Sequence, residues 1–117
     1  MLKLIIGNRN YSSWSMRAWL LLKHFELGFE EILVPLFTDH FESTLAQYTD
    51  ANKVPVLHDA DLIVWDSIAI CEYISEHYLD GRGWPREIKA RAVARAASAE
   101  MHSSFFQLRE HLPMNCR

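Results

Sequence analysis

Lys53-Val54-Pro55-Val56-Leu57-His58-Asp59-Ala60-Asp61-Leu62-Ile63-Val64-Trp65-Asp66-Ser67 is the stretch on which the reading of this chain turns. Two extended runs, Val54 to His58 and Leu62 to Trp65, flank Asp59-Ala60-Asp61, whose composition is that of a turn, so the stretch predicts a β-hairpin. Pro55 interrupts the first run and removes one ladder donor. An ordinary trans proline on an edge strand accounts for it. So does a cis Val54–Pro55 bond, which turns the Val54 N–H and C=O outward to pair with an extended peptide ligand; the trans form is the commoner, and the run alone does not choose. Directly after the hairpin, Asp66-Ser67 offers an N-cap for a helix whose Ile70, Cys71, Ile74 and Tyr78 share one face. The free N–H groups of that helix start and the Ser67 hydroxyl suit a carboxylate, and Asp66 suits an ammonium. The same pair is also a common cap with no further role.

Toward the N-terminus, residues 2–6 (Leu-Lys-Leu-Ile-Ile) form a short apolar run closed by Gly7, which predicts a buried strand and then a turn through Asn8, Arg9 and Asn10. From Ser13 the spacing of Ala18, Leu21, Leu22 and Phe25 makes one helical stripe, with Gly28 placed to end the helix. Glu30 to Pro35 reads as a second strand, and His40 to Tyr48 as a weaker helix with Phe41 and Leu45 on one side. A right-handed crossover makes the first two strands parallel neighbours. The order βαβ-α-ββα is that of an α/β, thioredoxin-like fold occupying residues 1–80. Gly81 to Pro85 supply a linker, 81–85, and 86–117 form the opening of a second, all-helical unit with one long helix from Arg86 to His111. Its apolar stripe Val93, Ala97, Met101, Phe105, Leu108, Leu112 has no later helix to pack against.

The bulk properties narrow the partner. A formal charge of -3 without a lysine or arginine cluster argues against nucleic acid and anionic membrane, and favours a small soluble ligand. The N-terminal apolar run is too short for a signal-peptide core and no segment reaches membrane-spanning length, so the expected location is the cytoplasm. Cys71 and Cys116 stand far apart, which indicates no disulfide framework, and the histidines lack metal spacing, so no metal is expected.

The remaining segment is Tyr11-Ser12-Ser13-Trp14-Ser15-Met16-Arg17, between the first strand and first helix. Backbone N–H groups and the helix dipole favour an anion there, and a thiolate is one such anion. A free thiol of pKa about 8.5 is only about 3% ionised at neutral pH, so making it mostly thiolate takes roughly 2.7 kcal/mol. A hydroxyl hydrogen bond to a charged group contributes about 1.5–3 kcal/mol and a helix terminus about 0.3–1, which together suffice. Helix capping is the simpler reading of these serines when the segment is taken by itself.

Taken together, Tyr-Ser-Ser-Trp-Ser-x-Arg, Lys-Val-Pro-Val-Leu and Asp-Ser-x-Ala-Ile, in that order, resemble the cytosolic glutathione transferases of the serine type, the zeta and theta classes among them. The resemblance covers residues 1 to about 80 as the N-terminal domain, and 86–112 resemble the first helix of the C-terminal domain. It implies glutathione as cosubstrate, a small electrophile as second substrate and a homodimer. Ser12 is then the catalytic hydroxyl that stabilises the glutathione thiolate, with Ser13 or Ser15 in that role if the loop is shifted. Val54 pairs by backbone with the cysteine of glutathione, Pro55 is cis, Asp66 and Ser67 hold the γ-glutamyl group, and Lys53 and His40 meet the glycine carboxylate. Two departures stand out. Asp66 replaces a longer Glu or Gln, which shortens its reach, and the second domain stops after one helix, so most of the electrophile pocket is expected to be missing. A thiol–disulfide oxidoreductase on the same fold would need a low-pKa cysteine where Ser12 to Ser15 stand, and Cys71 falls on an apolar helix face. A binding module of transferase ancestry without catalysis is the rival from another class.

Overall fold

The computed structural model describes residues 1–116, and its centre is β1 (Leu2–Ile6). Leu2, Leu4 and Ile6 point to one face of the sheet and Ile5 to the other, and all four are buried, as a strand covered on both faces requires. β1 pairs in parallel with β2 (Phe29–Leu33) and antiparallel with β3 (Val56–Asp59), which forms the hairpin with β4 (Leu62–Trp65). The sheet order is β2-β1-β3-β4. On the Leu4 face lie α1 (Ser13–His24), through Ala18 and Leu22, and α3 (Ser67–Tyr78), through Ile70 and Ile74. Leu45 of the short α2 (Phe41–Leu45) packs on the opposite face with Ile5, Val34 and Val56. This is the thioredoxin-like order expected from the sequence, and it brings the N-termini of α1 and α3 to the same end as the residues before β3.

Element ends differ from expectation for local reasons. Glu26, at φ 55°, takes the left-handed conformation that ends α1, so the helix stops before Gly28 is reached. α2 spans five residues rather than His40 to Tyr48, because the chain beyond Leu45 tightens into turns in which Tyr48 and Thr49 N–H both donate to the Leu45 carbonyl. The long C-terminal helix is two helices, α4 (Ile88–Ser103) and α5 (Phe106–His111). The Ser103 and Ser104 hydroxyls donate to the carbonyls of Ala99 and Glu100, competing with the backbone, and Phe105 at φ 62° turns the chain. No residue of α4 is buried, and its stripe lies open at Val93 and Met101.

The segment after α3 is pinned rather than loose. The Gly83 N–H donates to the Ser75 hydroxyl at 3.1 Å, and a Cβ on Gly83 would sit 2.7 Å from that oxygen, so the close approach needs glycine. The Trp84 indole N–H donates to Glu72. At the other side of α3, the Tyr73 and Tyr78 hydroxyls both donate to Asp59 Oδ2, at 2.5 and 2.6 Å, tying the helix to the hairpin. Those donors hold the Asp59 carboxyl below its ordinary value, and the Asp59 contact pushes Tyr73 up to about 12. A depressed carboxylate contributes stability above its unfolded-state pKa of about 3.9 and loses it as pH falls through the lower folded value. Asp59→Asn is therefore expected to lower stability at neutral pH while flattening the loss below about pH 4. Denaturant melts across that range check it, and parallel wild-type and variant curves would contradict the assignment.

Candidate functional site

A cleft of about 540 Å³ opens where β3 begins and α3 starts, lined by Trp14, Lys53, Val54, Pro55, Trp65, Asp66, Ser67 and His102. Five of the residues singled out in the sequence thus share one wall system. The Val54–Pro55 bond is cis. Ladder pairing of β3 with β1 ends at Ile5↔Val56, which leaves Val54 outside the sheet and on the cleft. Asp66 caps α3: its Oδ1 accepts from the Ile68 and Ala69 N–H groups at 3.0 and 3.4 Å. Ser67 is 2% exposed, and its hydroxyl has no hydrogen-bond partner among the described residues. A buried polar group left unpaired costs about 1–3 kcal/mol, and Ser67 borders both this cleft and the groove between α3 and α4, so its hydroxyl is a candidate for a partner that the described residues do not supply.

The serines at the start of α1 stand in a different setting. Ser12 is 7% exposed and is the N-cap of α1, its oxygen accepting the Ser15 N–H at 3.2 Å. Its hydroxyl donates to Ser15 Oγ at 2.7 Å, and Ser15 Oγ also accepts the Gly7 N–H at 3.1 Å. Ser12 and Ser15 line a smaller cavity of about 170 Å³ with Ile6, Gly7, Arg9, Met16 and Trp19, not the larger cleft; half-buried Ser13 lines neither. The capping role read from the sequence is therefore present. His40 also lies apart: it is exposed at the start of α2 and does not line the cleft.

Trp14, Trp65 and His102 line the cleft without having been singled out as site residues from the sequence. Trp14 stands under the guanidinium groups of Arg17 and Arg109, 4.2 and 4.6 Å from its ring centre, and meets His102 edge-on at 5.1 Å. His102, near the end of α4, places Nε2 3.1 Å from Asp66 Oδ2. Burial first, and the second guanidinium of Arg109 next, lower the Arg17 pKa. Cys71 faces a groove between α1, α3 and α4, where burial pushes its thiol up to about 11, the reverse of what a thiol nucleophile needs. Among the described residues, no three His, Cys, Asp or Glu side chains gather as a metal site.

The family described as glutathione S-transferase, N-terminal domain, matches residues 11–77, more than half of the chain. Glutathione S-transferase Z1 of Arabidopsis thaliana is 36% identical over 93 residues, which cover 79% of this chain and 41% of that protein. A probable maleylacetoacetate isomerase of Caenorhabditis elegans is 33% identical over 90 residues, covering 77% and 41%. The apo structure of human glutathione S-transferase T1-1 superposes with a TM-score of 0.78 at 27% identity, over 89% of this chain and 44% of that one. The chain thus spans about two fifths of the length of those curated relatives. Because that family matches the residues that carry the cis-proline cleft and the starts of α1 and α3, the chain belongs to the glutathione S-transferases, through their N-terminal domain.

Proposed function

We propose that the cleft binds glutathione and that its cysteinyl sulfur extends beyond the cleft to Ser12, which lines a separate cavity and whose hydroxyl stabilises the thiolate for attack on an electrophilic carbon. The observation that carries the reading is the buried, unpartnered Ser67 hydroxyl at the head of α3, on the same cleft as Lys53, Val54 and Asp66. The α-carboxylate of a γ-glutamyl group takes that hydroxyl hydrogen and the Ser67 N–H, the Ile68 and Ala69 N–H groups being engaged by Asp66 Oδ1, and its ammonium meets Asp66 Oδ2. The backbone of Val54 pairs with the ligand's cysteine as an added strand does. Lys53 receives the glycyl carboxylate, in preference to the more remote His40. The enzyme's part is then electrostatic preorganisation and proximity, with no covalent intermediate on the protein.

Within this reading, residues 1–80 are the glutathione-binding domain, 81–85 the linker and 86–117 the start of an all-helical domain; Arg117 lies outside the described residues. The protein acts as a cytoplasmic homodimer on a small electrophile. A second reading, glutathione binding without turnover, is favoured by one observation: Ser12 is nearly enclosed and its hydroxyl is already engaged.

Calorimetric titration with glutathione, alongside conjugation to a generic aromatic electrophile, separates the two. Ser67→Ala is expected to weaken glutathione binding about 10- to 100-fold, since a hydrogen bond to a charged group contributes roughly 1.5–3 kcal/mol. Unchanged affinity would remove the γ-glutamyl carboxylate from this position.

A further inference from the structure

We infer that Ser15 is a positioning residue for the thiolate chemistry, holding and polarising the Ser12 hydroxyl through the contact between their two oxygens. The inference rests on the glutathione reading above and deepens it.

Capping alone does not call for a serine at this position. The cap uses only the Ser15 N–H, which any residue other than proline supplies. Yet Ser15 is 2% exposed on a helix whose other buried residues are Ala18 and Leu22, and a hydroxyl there costs stability unless it is paired. It is paired on both sides: with the Gly7 N–H at 3.1 Å and with Ser12 Oγ at 2.7 Å.

Each hydroxyl has one hydrogen and two acceptor lone pairs. With no anion at hand, Ser12 donates to Ser15. When a thiolate arrives, the Ser12 hydrogen turns to the sulfur, and the short contact persists because Ser15 now donates to Ser12 Oγ. Gly7 N–H keeps donating to Ser15 Oγ throughout. No heavy atom has to move, no proton is transferred and no covalent bond changes. The result is a row of dipoles, Gly7 N–H to Ser15 O–H to Ser12 O–H to sulfur, all aimed at the negative charge, and such rows strengthen one another. The base of the row is fixed: a Cβ on Gly7 would lie 2.9 Å from Leu36 Cγ, so the strand end and the β2–α2 loop close tightly on each other there.

The test is the pKa of the bound glutathione thiol, followed by thiolate absorbance across pH at saturating glutathione, in the 117-residue chain. Ser12→Ala is expected to lower the thiol's acid constant about tenfold or more, and Ser15→Ala about threefold. The double variant should go no further than Ser12→Ala, because Ser15 acts only through Ser12. Ser15→Thr, which keeps the hydroxyl, should restore the wild-type constant. Binding measured where the thiol is protonated should stay within about twofold in all four variants. Should Ser15→Ala prove unfolded by circular dichroism, Ser15→Cys, a weaker donor of similar size, is expected to fall between wild type and Ser12→Ala. A wild-type thiol pKa in a folded Ser15→Ala or Ser15→Cys chain, or a double variant equal to the sum of the singles, overturns the inference alone. No effect of Ser12→Ala overturns the assignment of Ser12 and the inference with it.

Discussion

Replacing Ser12 with alanine is expected to lower the conjugation rate at neutral pH by about 10- to 100-fold and glutathione affinity at that pH by only a few-fold, with affinity unchanged where the thiol is protonated. The size follows from the roughly 1.5–3 kcal/mol that a hydroxyl contributes against a full charge, and the direction from its loss only where the thiolate has formed. A complication is that Ser12 caps α1, so the same substitution also removes about 0.5–2 kcal/mol of stability. Ser12→Asp separates the two effects. An aspartate still accepts the Ser15 N–H and keeps the cap, but it has no hydrogen to give and adds a negative charge beside the sulfur. It should therefore keep the cap of α1, at the cost of burying a carboxylate where Ser12 is nearly enclosed, and yet show a thiol pKa at least as high as that of Ser12→Ala. Rates measured below the melting transition, with the thiol pKa from absorbance, decide the matter. If Ser12→Asp conjugates at the wild-type rate, the hydroxyl role passes to Ser13, the other serine of the turn that is not committed to Gly7.

What could be read from the sequence was what short stretches encode within themselves. β1 and the hairpin were legible because an apolar run of five residues, or two runs around Asp59-Ala60-Asp61, leave few alternatives to a buried strand or a turn. Val54, Pro55, Asp66 and Ser67 stood out as local motifs, Lys53 only through the family resemblance, and the hairpin between them brings both ends to one cleft. The break after Ser103 was hidden because apolar periodicity runs straight through it; the signal was the Ser103-Ser104 pair, whose hydroxyls bond the preceding turn. His102 was hidden for a different reason. Its contact with Asp66 spans 36 residues, and only the docking of α4 across the head of α3 creates it. Trp14 and Arg17 stood three residues apart in the serine motif, the spacing that brings them together on α1, but the second guanidinium over Trp14, that of Arg109, arrives only as α5 folds back, which no spacing rule expresses.

Ile70→Ala is expected to cost about 3–4 kcal/mol of folding free energy, a large share of the roughly 5–15 kcal/mol that holds a domain of this size together. Ile70 is fully buried, and its cluster joins β1, α1, α3 and Leu57 of β3, so the cavity left behind cannot collapse without moving several elements at once. In a chain of this length the melting temperature should fall by roughly 10–20 °C. Val93→Ala on α4, where the side chain is 69% exposed, removes comparable chemistry from solvent-facing surface and should change stability by no more than about 0.5 kcal/mol. The pair also tests how fold and site are joined. Ile70 sits one turn below Ser67 and Asp66, so it anchors the helix end that faces the ligand without touching the cleft. Where Ile70→Ala remains more than about nine-tenths folded, its glutathione affinity should match wild type, because the cap hydrogen bonds of Asp66 fix the first turn locally. A drop in affinity under those conditions would show instead that the core position of α3, and not its cap, sets the geometry of the γ-glutamyl site.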